Sequence, residues 1–254
     1  MTRTAAIVVS HGHARELRES LPAIAPQVDE LVVVENFPGS VDDVPEDARV
    51  IRNERVQTFA ANLNRGIAAT TAPYLCSVNP DAVAEPGAVA ALVEFAETHP
   101  RCGVAGPRME WHDGRLQPSR RRFPTVAGTL VRRTPLRLLA RPYERQRAHY
   151  YLDAPVDEPV EVDWMLGAFL LMRRTMLDEI GGWDAGFRHY GEDIDVQYRA
   201  AKAGWERWYV PAAVVRHEYA AVIDRSFLTR HTLWHLRGVA RFVRKHPERL
   251  RALR

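Results

Sequence analysis

The chain has only two cysteines in 254 residues. Cys76 lies in a strand-like run and Cys102 just after His99-Pro100-Arg101, without ligand-like spacing. A disulfide framework and a cysteine-held metal cluster are therefore both excluded, and the two read as reduced structural thiols. No apolar run reaches the roughly 18 residues of a membrane-spanning helix. The opening "MTRTAAIVVSHGHARE" turns polar after a short apolar stretch and has no small-residue cleavage site, so it does not resemble a signal peptide and a cytoplasmic protein is expected. Glycine-rich phosphate loops are also missing. Without G-x-G-x-x-G or a Walker sequence, the dinucleotide-cofactor and P-loop classes lose their main support. No internal repeat or low-complexity linker divides the chain.

What is present is enough apolar material, 46% of residues, for one sizeable core. The net charge of +3 conceals a segregation: residues 115–147 carry ten Lys/Arg against Glu144 alone, and residues 225–254 carry nine against Glu248 alone. Two basic segments are thus attached to an acidic body. Such segments suit phosphate-bearing partners, nucleic acid or anionic lipid headgroups, and equally describe a solvated arginine-rich face.

Apolar periodicity predicts strands at 4–10, 30–36, 48–53 and 73–83, alternating with helices at 14–27, 58–71 and 87–100. This is the pattern of right-handed crossovers over an open, mostly parallel sheet. Further strands are expected at 103–110, 162–174 and 205–217, with helices at 175–181 and 192–203 and a long helical region at the C-terminus. The proline- and arginine-rich stretch 111–160 reads as a mobile loop with a short helix. The expected architecture is one α/β domain over 1–220 with a basic amphipathic extension over 221–254.

In open α/β sheets ligands bind at the carboxyl ends of the strands. Those ends carry Ser10-His11, Glu35-Asn36 and Asn79-Pro80-Asp81. Carboxylates there can bond a base or ribose, or hold a divalent cation against a diphosphate, which needs only one or two protein oxygens. Asp81 is the candidate ligand, although an Asp after Asn-Pro is also an ordinary turn former. His217 is a distant second ligand or simply a structural histidine. Glu192, Asp193 and Asp195 open a helix, where acids are favoured by the helix dipole; one of them could equally serve as a general base toward an attacking hydroxyl.

Taken in order, "IVVSHGHARELRESLPAI", "ELVVVEN", "FAANLNRGI", "YLCSVNPDAV", "VDWMLGAFLLMRRTMLDEIGGWDAGF", "YGEDIDVQYRAAKAGW" and "YVPAAVVRHEY" resemble the family-2 inverting glycosyltransferases of the GT-A fold, nearest to their rhamnosyltransferase-like branch. The resemblance runs from about residue 4 to residue 219. It implies that Ser10, Glu35, Asn64, Asn79, Asp81 and Gly167 contact a nucleotide-sugar and that Asp81 and His217 hold Mg²⁺ or Mn²⁺. It further implies that Asp193 is the catalytic base supported by Glu192, and that Trp164 and Trp183 lie on the acceptor side. Glu35 stands for the family's usual aspartate, Trp183 and Ala185 depart from its "GGFDE", and Gly191 replaces a common aromatic, so donor base and acceptor do not carry over.

The implied activity is transfer of a sugar, L-rhamnose from dTDP-rhamnose in the first instance, to a glycan or polyprenyl-diphosphate-linked acceptor in cell-envelope polysaccharide synthesis. UDP- and GDP-linked donors remain alternatives. No nucleic acid is expected as partner. On the C-terminal helix, Arg230, Arg237, Arg241 and Arg244 form one stripe beside Trp234, and Leu233, Leu236, Ala240 and Val243 form an apolar face. This suits a peripheral position on the inner face of an anionic membrane, or packing on the core. Arg120-Arg121-Arg122 would suit a diphosphate. The competing reading is a non-catalytic nucleic-acid or anionic-lipid binding protein on the same fold. A nucleotidyltransferase would need a glycine- and lysine-rich first loop, which "SHGHARE" is not.

Overall fold

The computed structural model describes residues 2–123, 151, 154–188, 190–218 and 230–251, the side chains of 230–233, 250 and 251 excepted. The expected loop and helix within 124–150, and Arg230 and Leu233 of the C-terminal stripes, lie outside the described residues.

Seven buried positions in a row make β1 (Thr4–Ser10) the centre of the fold. It pairs in parallel with β2 (Glu30–Glu35) and β4 (Tyr74–Val78), and β2 in turn with β3 (Arg49–Arg52). Between them run α1 (Ala14–Ile24), continued by a single 3₁₀ turn, and α2 (Phe59–Ala68), capped by the Thr58 hydroxyl, which accepts the Ala61 N–H at 3.2 Å. α2 lies so close to β1 that a Cβ on Gly66 would strike the Ile7 side chain.

The parallel expectation holds for this half. Beyond β4 the sheet becomes mixed: β10 (Phe169–Arg173) runs antiparallel between β4 and β6 (Cys102–Glu110), and β11 (Glu206–His217) is parallel to β6. The 73–83 run breaks at Asn79-Pro80-Asp81, and its remainder, β5 (Ala82–Ala84), pairs antiparallel with the end of β11. With β8 (Val160–Glu161) beside β11, nine strands of the described residues form one sheet. α3 (Ala88–Thr98) packs against β6 and β11.

The apolar run 162–174, expected as one strand, is two. β9 (Trp164–Met165) leaves the main sheet to pair with β7 (Arg120–Arg121), and the chain turns at Leu166-Gly167-Ala168 before β10 begins. α4 (Arg174–Ile180) ends in left-handed Gly181, and α5 (Glu192–Lys202) starts after left-handed Tyr190 and Gly191.

The C-terminal helices α6 (Arg230–Lys245) and α7 (Glu248–Arg251) are docked on the domain. Phe242 is buried against Phe187 and Tyr198, and Arg241 and Lys245 bond Asp184 at 2.8 and 2.9 Å. The two stripes expected on this helix are therefore redistributed. Leu236, assigned to the apolar face, is 47% exposed, whereas Arg241 of the basic stripe is spent on an internal ion pair. No helix among the described residues is long and apolar enough to cross a membrane.

Candidate active site

The carboxyl ends of β1, β2 and β3 hold a buried polar floor. Ser10 Oγ donates to the Ser40 carbonyl at 3.4 Å, while Glu35 accepts the Ser40 N–H at 2.9 Å on one oxygen and meets Arg52 at 3.1 Å with the other. Both side chains thus fold the 36–40 loop back over the strand ends. Asn36 accepts the Gln57 N–H and the Asn53 side chain at 2.7 and 2.9 Å, and Asn53 also donates to Asn62 at 2.6 Å. Above this floor Phe37 and Val56 are more than half exposed, and Phe37 lies edge-on to the His11 ring. The sequence reading missed both; an aromatic in the otherwise polar "NFPGS" was the available signal.

Asn64 has a structural task in this fold. Its amide forms a two-way bracket with the backbone of Trp183, donating to the carbonyl at 2.7 Å and accepting from the N–H at 3.0 Å. Trp183 itself is buried in the core with its indole edge-on to Phe59. Trp164 is also buried; its indole donates to the Arg122 carbonyl at 2.9 Å, and Arg121 lies over its ring.

Asp81 and His217, far apart in sequence, face each other with 3.5 Å between the carboxylate oxygen and Nε2. Gln117 sets this geometry. Its Nε2 donates to the His217 carbonyl at 3.3 Å, which leaves Oε1 to accept the Nδ1 proton at 3.0 Å. With Nδ1 as donor to Gln117, Nε2 is the ring atom turned toward the Asp81 carboxylate. A proton on Nε2 can bridge this gap, and when that proton is lost the ring nitrogen and the carboxylate oxygen face the same point, so the donor set fits a divalent metal. Burial works to raise the Asp81 pKa, but hydrogen bonding and charge from His217 hold it below the usual carboxylate range. Among the described residues no cluster of three or more His, Cys, Asp or Glu could hold an ion. A metal here would take its remaining ligands from water and a diphosphate.

The turn Leu166–Ala168 ties this pair to the acids of α5. The Ala168 carbonyl accepts the Asn79 N–H at 2.8 Å, the Leu166 N–H donates to Ser119 at 3.1 Å, and the Gly167 N–H donates to Asp193 at 3.3 Å. A Cβ on Gly167 would lie 3.0 Å from that of Asp193, so only glycine lets the turn approach the carboxylate this closely. Gln197, fully buried, brackets Met165 by donating to its carbonyl at 2.7 Å and accepting its N–H at 2.8 Å, which fixes α5 against β9. Gln117 and Gln197 were missed, because nothing in local spacing marks a glutamine whose partner is distant in the chain.

Glu192 and Asp193 are separated by environment. Glu192 is buried with one oxygen unbonded, and desolvation followed by the Asp193 charge pushes its pKa up to about 8. Desolvation also raises Asp193, but Arg121 and the N–H groups of Gly167 and Ile194 favour its anion. The surroundings thus treat the two differently: burial and the neighbouring charge favour the neutral form of Glu192, whereas Arg121 and the two N–H groups work against the burial that raises half-buried Asp193. A raised carboxyl pKa contributes stability that is complete below the unfolded value, near 4.5, and lost as pH rises through about 8. Glu192→Gln should accordingly match the parent's melting temperature near pH 4.5 and exceed it by several degrees at pH 8.5, as read by calorimetry across that range.

Comparison with known proteins places this geometry. A family model described as "Glycosyltransferase like family 2" matches residues 5–237. An N-acetylglucosaminyl-diphospho-decaprenol L-rhamnosyltransferase of Mycobacterium tuberculosis is 31% identical over 214 residues, covering 74% of this chain, and the chain spans only 66% of that relative's length. Rhamnosyltransferase WbbL of Escherichia coli is 39% identical over 82 residues, covering 32% of this chain and 31% of WbbL.

Among solved structures, GalNAc-T7 with UDP, GalNAc and Mn²⁺ superposes with a TM-score of 0.67 at 16% identity, over 96% of this chain and 48% of the other. The mannosyltransferase PcManGT of Pyrobaculum calidifontis, with GDP-Man and Mn²⁺, gives 0.56 at 18% identity, over 89% and 58%. These two show the fold, and it is the GT-A architecture that the sequence motifs imply. On the match over residues 5–237, the chain belongs to the family-2 glycosyltransferases.

Proposed function

We propose that this protein is an inverting, metal-dependent glycosyltransferase that moves L-rhamnose from dTDP-rhamnose to a hydroxyl of a polyprenyl-diphosphate-linked sugar. The observation that carries the reading is the Leu166–Ala168 turn, which bonds the Asn79–Asp81 segment through Ala168 and Asp193 through Gly167. The facing Asp81–His217 pair and the Asp193 carboxylate are thereby linked through one turn. The relative named for a decaprenol-diphosphate acceptor supports the acceptor class.

In this mechanism Asp81 and His217 would hold the cation, and Gln117 orients His217. The mixed oxygen and nitrogen donor set favours Mn²⁺ over the oxygen-seeking Mg²⁺. A cation bound there would supply charge neutralisation to the departing diphosphate. Phe37 and Val56 offer apolar surface to the base, above the Ser10, Glu35 and Asn36 floor. Asp193 accepts the proton of the acceptor hydroxyl as its oxygen attacks the anomeric carbon from the side opposite the leaving nucleotide. Glu192, protonated, adds no second negative charge beside that base. Leu236, Arg237 and Arg244, on the outer side of α6, suit an anionic bilayer carrying a lipid-linked acceptor.

Binding tests the reading directly. In a thermal-shift panel of dTDP, UDP and GDP, each with and without Mn²⁺, dTDP with Mn²⁺ should give the largest stabilisation. A flat panel would sink the enzyme reading. Salt-sensitive binding to DNA or liposomes together with that flat panel would favour the non-catalytic alternative.

A further inference from the structure

Asp195 lies two residues beyond the expected base and is completely buried. It collects three donors: Arg199 of its own helix at 2.8 Å, and Lys245 and His246 from the end of α6 at 2.9 Å each. Lys245 also reaches Asp184, which Arg241 grips through both oxygens at 2.8 and 3.0 Å. Tyr198 and Lys202 of α5 bond Glu248 of α7 at 3.2 and 2.8 Å. At the start of α5, a Cβ on Gly191 would lie 3.7 Å from the Gly238 carbonyl of α6, so the two backbones nearly touch where Glu192 and Asp193 begin. α5 is thus held from two sides: Gln197 ties it to β9, and Asp195 ties it to the C-terminal helix.

We infer that Lys245 and His246 are positioning residues for the catalytic base, acting through buried Asp195 to fix the first turn of α5 so that Asp193 faces the Leu166–Ala168 turn. The charge run at the C-terminus is then not only a surface feature, because part of it completes the active site from behind. The chemistry is economical. A fully buried carboxylate is costly unless it is paired and hydrogen-bonded, and only one of its three donors comes from α5 itself. When α6 is undocked, Asp195 keeps Arg199 alone and loses two of its bonds. The first turn is then free to follow the carboxylate toward water, and Asp193 leaves its place beside Gly167. Lys245 and His246 send these bonds to Asp184 and Asp195 and not to the donor side on β1, β2 and β4, so nucleotide binding should be untouched.

This inference rests on the proposed transferase reading and predicts a split between turnover and donor binding. His246→Leu should lower kcat at least tenfold while the donor KM and the Mn²⁺-dependent nucleotide affinity stay within twofold. His246→Gln, whose amide N–H can replace Nε2–H at Asp195, should retain at least half of the parent kcat. Lys245→Met, at a partly exposed position that tolerates an aliphatic chain, guards against a His246 variant that fails to fold and should lower kcat about threefold or more.

Hydrogen exchange should quicken at Ile194–Val196 in His246→Leu and remain unchanged along α2. Turnover within twofold of the parent in both His246→Leu and Lys245→Met would overturn the inference. So would equal damage in His246→Leu and His246→Gln, or a loss of nucleotide affinity parallel to kcat. A parent protein that transfers no sugar overturns the transferase reading and this inference with it, whereas loss confined to the variants beside an active parent supports the inference.

Discussion

Asp193→Asn should lower kcat by about 10²–10⁴-fold while leaving nucleotide affinity within a few-fold, the signature of a group needed only as the acceptor proton moves. The substitution is nearly isosteric. The two Asp193 oxygens now accept separately, one from the Gly167 N–H at 3.3 Å and the other from the Ile194 N–H at 2.9 Å, so the single Asn oxygen can keep one of these bonds and the variant loses the other. What disappears is the negative charge and the lone-pair basicity. Glu192 is unsuited to substitute: it is buried, and its pKa is pushed up to about 8 by desolvation and by the charge of Asp193.

Removing the Asp193 charge relieves the second of those causes, so Glu192 should titrate lower in the variant, visible as an alkaline limb moved to lower pH in any residual activity. Turnover and nucleotide affinity measured together on the purified variant decide the matter. A parallel collapse of both would make Asp193 a structural or metal-holding residue. Unchanged turnover would move the base elsewhere.

The sequence carried this fold unevenly, for physical reasons. β1, β2, α1 and α2 follow from apolar periodicity because each buries a complete face, and the structure places them within a few residues of expectation. The break inside 162–174 left almost no trace, since a run that is apolar throughout looks the same whether it continues or turns; Gly167 was the one hint. At the site, the residues carried by the family resemblance, Asp81, His217, Gly167 and Asp193, come together around one turn. The residues that orient them are another matter. Gln117, Gln197 and Asn53 act through partners that the sheet topology supplies, and a lone polar residue in a sequence does not announce that it will be buried. Lys245 and His246 are the clearest case, because in a segment with nine basic residues they read as surface charge.

Asp81→Asn should abolish the Mn²⁺-dependent part of nucleotide binding, a loss of about 10²-fold or more in affinity measured with metal, and leave the weak metal-free affinity unchanged. The argument turns on charge. An Asn oxygen can still accept a bond from the imidazole, but it brings no negative charge to a cation that must also face a diphosphate, and only one imidazole remains as an effective ligand. His217→Ala should weaken the metal-dependent binding less, because the carboxylate survives.

Gln117→Leu should weaken it by about 10–100-fold without touching a ligand, because the imidazole then loses the acceptor that fixes its tautomer. That order, Asp81 before His217 and Gln117, is the test. Titration calorimetry with the nucleoside diphosphate, in Mn²⁺ and in a chelator, resolves it for all three variants. If all three bound nucleotide with metal as tightly as the parent, the facing pair would be a packing contact and the cation would have to be held elsewhere. The 3.5 Å gap between Asp81 and Nε2 would then need a proton to explain it.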